Sequence, residues 1–273
     1  VRLSVERYVN DRLARGEISP ATARQLRWRL STLARLFPDL EVSALRRHHV
    51  VAWARTIGWQ RPASRRAYLS TVRTFVRWAI DEELLEVDPT ARLGRVREPR
   101  REPRALSDGQ MAQLKLRLPD DRARLVIALM SRLGLRCVEV ARLRVEDWDT
   151  AQRTLRLRGK ADNERLVAVP GDVRALLLAY LRGRTTGRIL DATAATLSRQ
   201  VSTWMDAAGL KAGPHDGVSA HALRHTAASN AYDRCGNVRT VQELLGHANI
   251  ATTDRYLRRA DLDAQRAALE LGA

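Results

Sequence analysis

Residues 154–169, Thr154-Leu155-Arg156-Leu157-Arg158-Gly159-Lys160-Ala161-Asp162-Asn163-Glu164-Arg165-Leu166-Val167-Ala168-Val169, read unlike the rest of the chain. Two five-residue runs, 154–158 and 165–169, alternate in the two-residue period of a half-buried strand. Between them Gly159 to Glu164, with Asp162-Asn163 at its centre, has the composition of a hairpin loop. Elsewhere apolar residues recur every three or four positions, the helical period. The stretch therefore predicts one small antiparallel sheet set into a mainly helical chain.

Helices are expected on both sides of it. Ahead of it, Ser107-Asp108-Gly109-Gln110 is a capping box opening a helix. Asp120 to Leu133 follows, with Leu125, Leu129 and Leu133 on one face and Gly134 as its stop. A short helix is expected from Arg136 to Leu143. Beyond the hairpin, helices are predicted over 172–182, 194–208, 220–235 and 237–245, with two further pieces around Tyr256 and over 262–269. The first ninety-odd residues are also helical in pattern. One helix runs from Ser19-Pro20 to Phe37-Pro38 and a second from about Ser43 to Arg55. A third starts near Pro62, with Tyr68, Leu69, Val72, Phe75, Val76 and Ala79 on its apolar stripe. Arg65, Arg66, Arg73 and Arg77 are assigned to that third helix's polar face.

The 273 residues suggest two domains at ~150 residues each. The stretch Gly94 to Arg104 has two prolines, one glycine and five arginines, among them Arg97, Arg100 and Arg101. It is read as an extended linker, dividing the chain into 1–94, a linker at 95–104, and 105–273. The chain carries 48 Lys+Arg against 31 Asp+Glu, a net charge of +17. Residues 1–104 hold +10 of it and residues 105–273 hold +7, so both parts are expected to face one polyanion, with nucleic acid first. The apolar runs are far short of the ~20 residues of a membrane span, and Val1 to Arg7 has no apolar signal core. Cys137 and Cys235 are too few for a disulfide framework or a zinc site, which fits a reducing cytoplasm. Both cysteines are read as small buried residues. Tryptophans such as Trp28, Trp53, Trp78 and Trp204 are read as core.

The chemistry-bearing residues cluster in 105–273. His221-Ala222-Leu223-Arg224-His225 opens a helix, with His221 and Arg224 on one face. His221 and His225 have metal-ligand spacing, but Ala222 stands where a metalloprotease helix needs Glu and no third ligand is evident. Gly246-His247 follows a helix, and Tyr256 comes nine residues later. Arg136 opens its own short helix, three residues before a possible partner, Glu139.

Taken in order, Gly134-Leu135-Arg136-x-x-Glu139, Gly159-Lys160-x-x-x-Glu164-Arg165-x-Val167-x-Val169-Pro170, His221-x-Leu223-Arg224-His225-Thr226-x-Ala228 and Val241-Gln242-Glu243-Leu244-Leu245-Gly246-His247-x-x-Ile250-x-Thr252-Thr253-x-x-Tyr256 resemble the tyrosine recombinase (phage integrase) family, in its Xer-like branch. The resemblance covers 105–260 densely and 1–104 more weakly. It implies a helical, SAM-like core-binding domain followed by an α+β catalytic domain. It also implies a catalytic set of Arg136, Lys160, His221, Arg224, His247 and Tyr256, with Glu139 and His225 in support. Tyr256 would attack a DNA phosphodiester and store the bond energy in a 3′-phosphotyrosyl link. At neutral pH only about one tyrosine in a thousand is ionised, so a base is needed, and His221 is the natural candidate. Two arginine forks suit the two non-bridging oxygens. Lys160, one of three lysines in the chain, is suited to protonating the leaving 5′-oxygen, because an ammonium yields a proton far more readily than a guanidinium. No metal or other cofactor is implied.

The resemblance further implies double-stranded DNA as partner and four protomers, identical or shared with a related recombinase, passing through a Holliday junction. The amphipathic tail at 261–273 is expected to dock on a neighbouring protomer. Arg65, Arg66, Arg73, Arg77, Arg97, Arg100 and Arg101 are expected on the phosphate backbone. The expected location is the cytoplasm, at the nucleoid. Two other readings share the same residues: a type IB topoisomerase, and a DNA-binding protein that has lost cleavage.

Overall fold

The computed structural model describes residues 1–58, 61–94, 96, 104–158, 164–213 and 218–246. The chain divides into two units, Val1–Arg100 and Arg101–Ala273.

In the first unit four helices enclose one apolar core: α1 (Arg2–Ala14), α2 (Pro20–Leu36), α3 (Arg47–Thr56) and α4 (Pro62–Asp81). The start of α2 is set locally: Pro20 occupies its first turn and Ser19 Oγ accepts the Thr22 N–H. Tyr8, Phe75 and Trp78 form an aromatic knot, with the Tyr8 ring edge-on to Phe75 at 5.6 Å. Trp53 is wholly buried and its indole N–H donates to Thr32 Oγ1 at 2.9 Å. The predicted stripe of α4 is buried as a set.

Three expectations for this unit are corrected. Helix α3 starts at Arg47 rather than Ser43, because 43–46 turn so as to bury Leu45 beside Val42. Trp28 is 60% exposed, not core. It lies two residues from both Leu26 and Leu30, on the side of α2 away from the buried stripe, and its ring packs 5.5 Å from Tyr68. Arg65 is not on the polar face of α4: it stands seven residues before buried Val72, in line with the core stripe, and is half-buried. Arg66 and Arg77 are exposed, while Arg73 donates to the carbonyls of Leu93 and Gly94.

The second unit opens with α5 (Asp108–Leu116), where the Ser107–Gln110 capping box is present in both directions. Next is α6 (Asp121–Arg132), capped by Asp120 and buried nearly all round by its neighbours, more than the single leucine face implied. It ends at Gly134, whose φ of +68° turns the chain back so that the Leu135 N–H reaches the Leu129 carbonyl. That turn delivers α7 (Cys137–Arg142).

The sheet comes next: β1 (Trp148–Asp149), β2 (Thr154–Arg158) and β3 (Glu164–Ala168), antiparallel in the order β1-β2-β3. Thr154 pairs with Ala168 and Arg158 with Glu164, so the hairpin register is as the alternation requires, and β3 begins one residue early. The two-residue β1 is too short to show any period. Helices α8 (Gly171–Leu181), α9 (Ala194–Ala207), α10 (Ala220–Cys235) and α11 (Val238–Leu245) complete the unit. Thr226 of α10 accepts the Leu106 N–H at 2.8 Å, which fixes the entry to this unit against that helix.

Candidate active site

Arg136 is the N-cap of α7, and Glu139 closes the cap: its Oε2 accepts the Arg136 N–H at 2.7 Å while its Oε1 accepts from Nη1 at 3.0 Å. The three-residue spacing thus makes the expected pair. The carboxylate is only 5% exposed and does not belong to Arg136 alone. Arg165, from β3, grips both of its oxygens, Nη1 to Oε1 at 2.8 Å and Nη2 to Oε2 at 3.1 Å. Arg224, from α10, brings Nη1 to 3.8 Å from Oε2.

Arg224 is itself 3% exposed. Its Nη1 donates to the Gly134 carbonyl and its Nη2 to the Leu245 carbonyl. One guanidinium therefore ties the turn that carries Arg136 to the last turn of α11, just before Gly246-His247. His221 sits one turn earlier on α10, where Ser219 caps the helix. Its outer edge is exposed, yet protein crowds its inner side, and that desolvation, then the charges of Arg224 and Arg136, pushes its pKa below the ordinary histidine value. Burial opposes ionisation of Glu139. The hydrogen bonds from Arg165, the Arg136 N–H and the two guanidinium charges outweigh it and hold the carboxyl below its usual range.

The sum is a site with three guanidiniums around one buried carboxylate, two positive charges in excess, beside an imidazole kept neutral. Nε and Nη2 of Arg136 have no hydrogen-bond partner among the described residues, and its side chain is about one-third exposed. Such an arrangement is suited to an incoming anion with two or more oxygens.

Of the expected catalytic set, Arg136, His221 and Arg224 come together with Glu139. His225 packs edge-on to His221, ring centroids 6.1 Å apart. Lys160, His247 and Tyr256 lie outside the described residues, as do Arg97, Arg100, Arg101 and the tail at 261–273. Cys137 is half-buried, and burial pushes its thiol pKa up. Cys235 is exposed rather than buried, because it ends α10 immediately before Gly236. No group of three or more His, Cys, Asp or Glu among the described residues is placed to hold a metal ion.

Arg165 joins this cluster although the sequence reading did not place it among the site residues. The signal was present: strand alternation puts it on the face of buried Val167, and a charge on an apolar face requires a buried partner.

Residues 111–262 match the phage integrase family, and residues 5–83 match the phage integrase N-terminal SAM-like domain. Among curated proteins, the chain is 38% identical over 210 residues to tyrosine recombinase XerD of Mycobacterium tuberculosis, covering 69% of this chain and 67% of that one. It is 28% identical to tyrosine recombinase XerC of Shewanella amazonensis, across 92% of this chain and 90% of the relative. Among solved structures, the fold is similar to lambda integrase (75–356) as a dimer on a COC′ core site, with a TM-score of 0.79 at 18% identity and 94% of each chain covered. It is also similar to the XerH recombinase on a palindromic difH substrate, with a TM-score of 0.74 at 18% identity, covering 98% of this chain and 84% of that one. The chain belongs to the phage integrase family, with Xer tyrosine recombinases among its relatives.

Proposed function

We propose that this chain, a site-specific DNA recombinase of that family, cuts and rejoins duplex DNA with Tyr256 as nucleophile and the Arg136–Arg224 site as phosphate receptor. The observation that carries the reading is the cationic excess around Glu139: two guanidiniums beyond the one the carboxylate neutralises, partly withdrawn from water. The Tyr256 oxygen attacks phosphorus and the bond to the 5′-oxygen breaks. His221, held neutral, takes the phenolic proton, and Lys160 gives one to the departing 5′-oxygen. Arg136, Arg224 and His247 stabilise the charge that grows on the two non-bridging oxygens. Attack on the phosphotyrosine by another strand's 5′-hydroxyl reverses the step and completes exchange.

The exposed Arg66 and Arg77 on α4, with Arg97, Arg100 and Arg101, hold the phosphate backbone. Lambda integrase has been solved as a tetramer on a Holliday junction. By that likeness this chain acts as a tetramer, alone or with a related recombinase, with 261–273 reaching a neighbouring protomer. It works on the nucleoid, in the cytoplasm. With 95–104 taken as a linker, α4 would meet phosphates from one unit and the chemistry would belong to the other.

The test is covalent trapping. With a nicked suicide duplex carrying the site the protein selects from random sequence, wild type should leave an SDS-stable protein–DNA adduct. Tyr256→Phe should bind that duplex with unchanged affinity and leave none. Wild type leaving no adduct would end the enzyme reading.

A further inference from the structure

Arg165 is the one cation of the cluster with no part in the chemistry just described. It is the second residue of β3, and its side chain is only 14% exposed. Its guanidinium bonds in two directions. Nη1 and Nη2 hold Glu139, and Nε donates to the Leu244 carbonyl at 3.2 Å. Arg224 holds the next carbonyl, Leu245. Two arginines thus clamp successive carbonyls at the end of α11, and both face the same carboxylate. The close approach is built in: a Cβ on Gly246 would lie 2.8 Å from Arg165 Nη1 and 3.0 Å from its Cδ and Cζ.

We propose that Arg165 is a positioning residue for strand cleavage. It holds both oxygens of Glu139 and the last turn of α11, so that Arg136 and Arg224 keep the positions from which they meet the scissile phosphate. This rests on the recombinase reading above. Without Arg165, the buried carboxylate loses two charge-assisted bonds and keeps only those from Arg136, so it draws harder on the cations that remain. The nearest cations are Arg224, already 3.8 Å away, and Arg136. Each is then drawn toward Glu139 and away from the phosphate. Lysine restores the charge but not three bonds in fixed directions.

The experiment uses the full chain and the same selected, nicked duplex. It compares wild type, Arg165→Ala, Arg165→Lys, Glu139→Gln and the double variant Arg165→Ala/Glu139→Gln. Adduct formation is followed in single turnover at saturating DNA, with DNA affinity and thermal midpoint measured beside it. Arg165→Ala should slow cleavage about 10- to 100-fold, the usual loss when a group that orients a directly acting residue is removed. Its DNA affinity should stay within about threefold, and Arg165→Lys should recover only part of the rate. The double variant should cleave faster than Arg165→Ala, because removing the carboxylate charge releases Arg136 and Arg224. A purely structural Arg165 would make the double variant slower still. Cleavage by Arg165→Ala within about threefold of wild type, or single losses that simply multiply in the double variant, would overturn the proposal. Wild type giving no adduct would instead overturn the recombinase reading.

Discussion

A histidine within the field of two guanidiniums has its charge state decided by its neighbours, and that makes His221 a sharp reporter. Desolvation, Arg224 and Arg136 all disfavour the imidazolium, so the native pKa lies below the ordinary ~6.5. Cleavage that uses neutral His221 as base should therefore lose activity on acidification with a midpoint below pH 6.5. A pH profile of cleavage at sub-saturating DNA, which reports the free protein rather than its complex with an anionic phosphate, checks this, and no loss of activity on acidification there would remove His221 as the base. The sign for stability is the same. Below about 6.5 the unfolded chain takes up a proton that the native site refuses, so stability falls as pH drops through that window. Glu139 does not confound the measurement. Its native pKa is depressed, so its stabilisation is complete above the usual glutamate value of ~4.3 and is lost only as pH falls through the lowered one. The pairing of Arg136 with Glu139 was legible from a spacing of three. The burial of Arg224 was not, because its bonds run to carbonyls of residues 90 and 21 positions away, and no local pattern encodes those.

Helix boundaries that depend on local chemistry read well from sequence: the Ser107–Gln110 box and the Gly134 stop both lie where the residues put them. Features set by distant packing did not: the short β1, the outward Trp28, the core-side Arg65 and the delayed start of α3 each answer to neighbouring elements rather than to adjacent residues. Gly134 shows both influences at once. Its φ of +68° favours glycine on local grounds, and a Cβ there would meet Leu245 Cδ2 at 2.6 Å, across from α11. Gly134→Ala should cost about 1–3 kcal/mol in a urea titration from backbone strain alone. Combining it with Leu245→Ala, which removes the clashing methyl, should cost less than the two single changes added together. Strict additivity would mean that the α6–α7 turn does not lean on α11, and that the arginine clamp is built without this contact.

At the scale of the whole molecule, the net charge of +17 is shared between two basic units, and on the proposed reading its role separates into a few charges that act on one phosphate and many that follow a backbone. That reading assigns Arg66 and Arg77 to the second kind. Eleven residues apart on α4, they are aligned on one exposed stripe about 16 Å along the axis, so each can meet a different phosphate. Neutralising a phosphate releases about 0.9 counterion on duplex DNA, so replacing both with serine should flatten the slope of log affinity against log salt by nearly two. The loss should be uniform across DNA sequences, because phosphate contacts fix position and carry no base information. At DNA concentrations that restore full occupancy, the doubly substituted protein should form adduct at the wild-type rate, since the cluster around Glu139 is untouched. Filter-binding titrations from low to moderate salt, on the selected site and on a scrambled duplex, measure both quantities. An unchanged slope would place the phosphate contacts of the first unit elsewhere than on α4, and a loss confined to the selected site would mean that Arg66 or Arg77 reads a base.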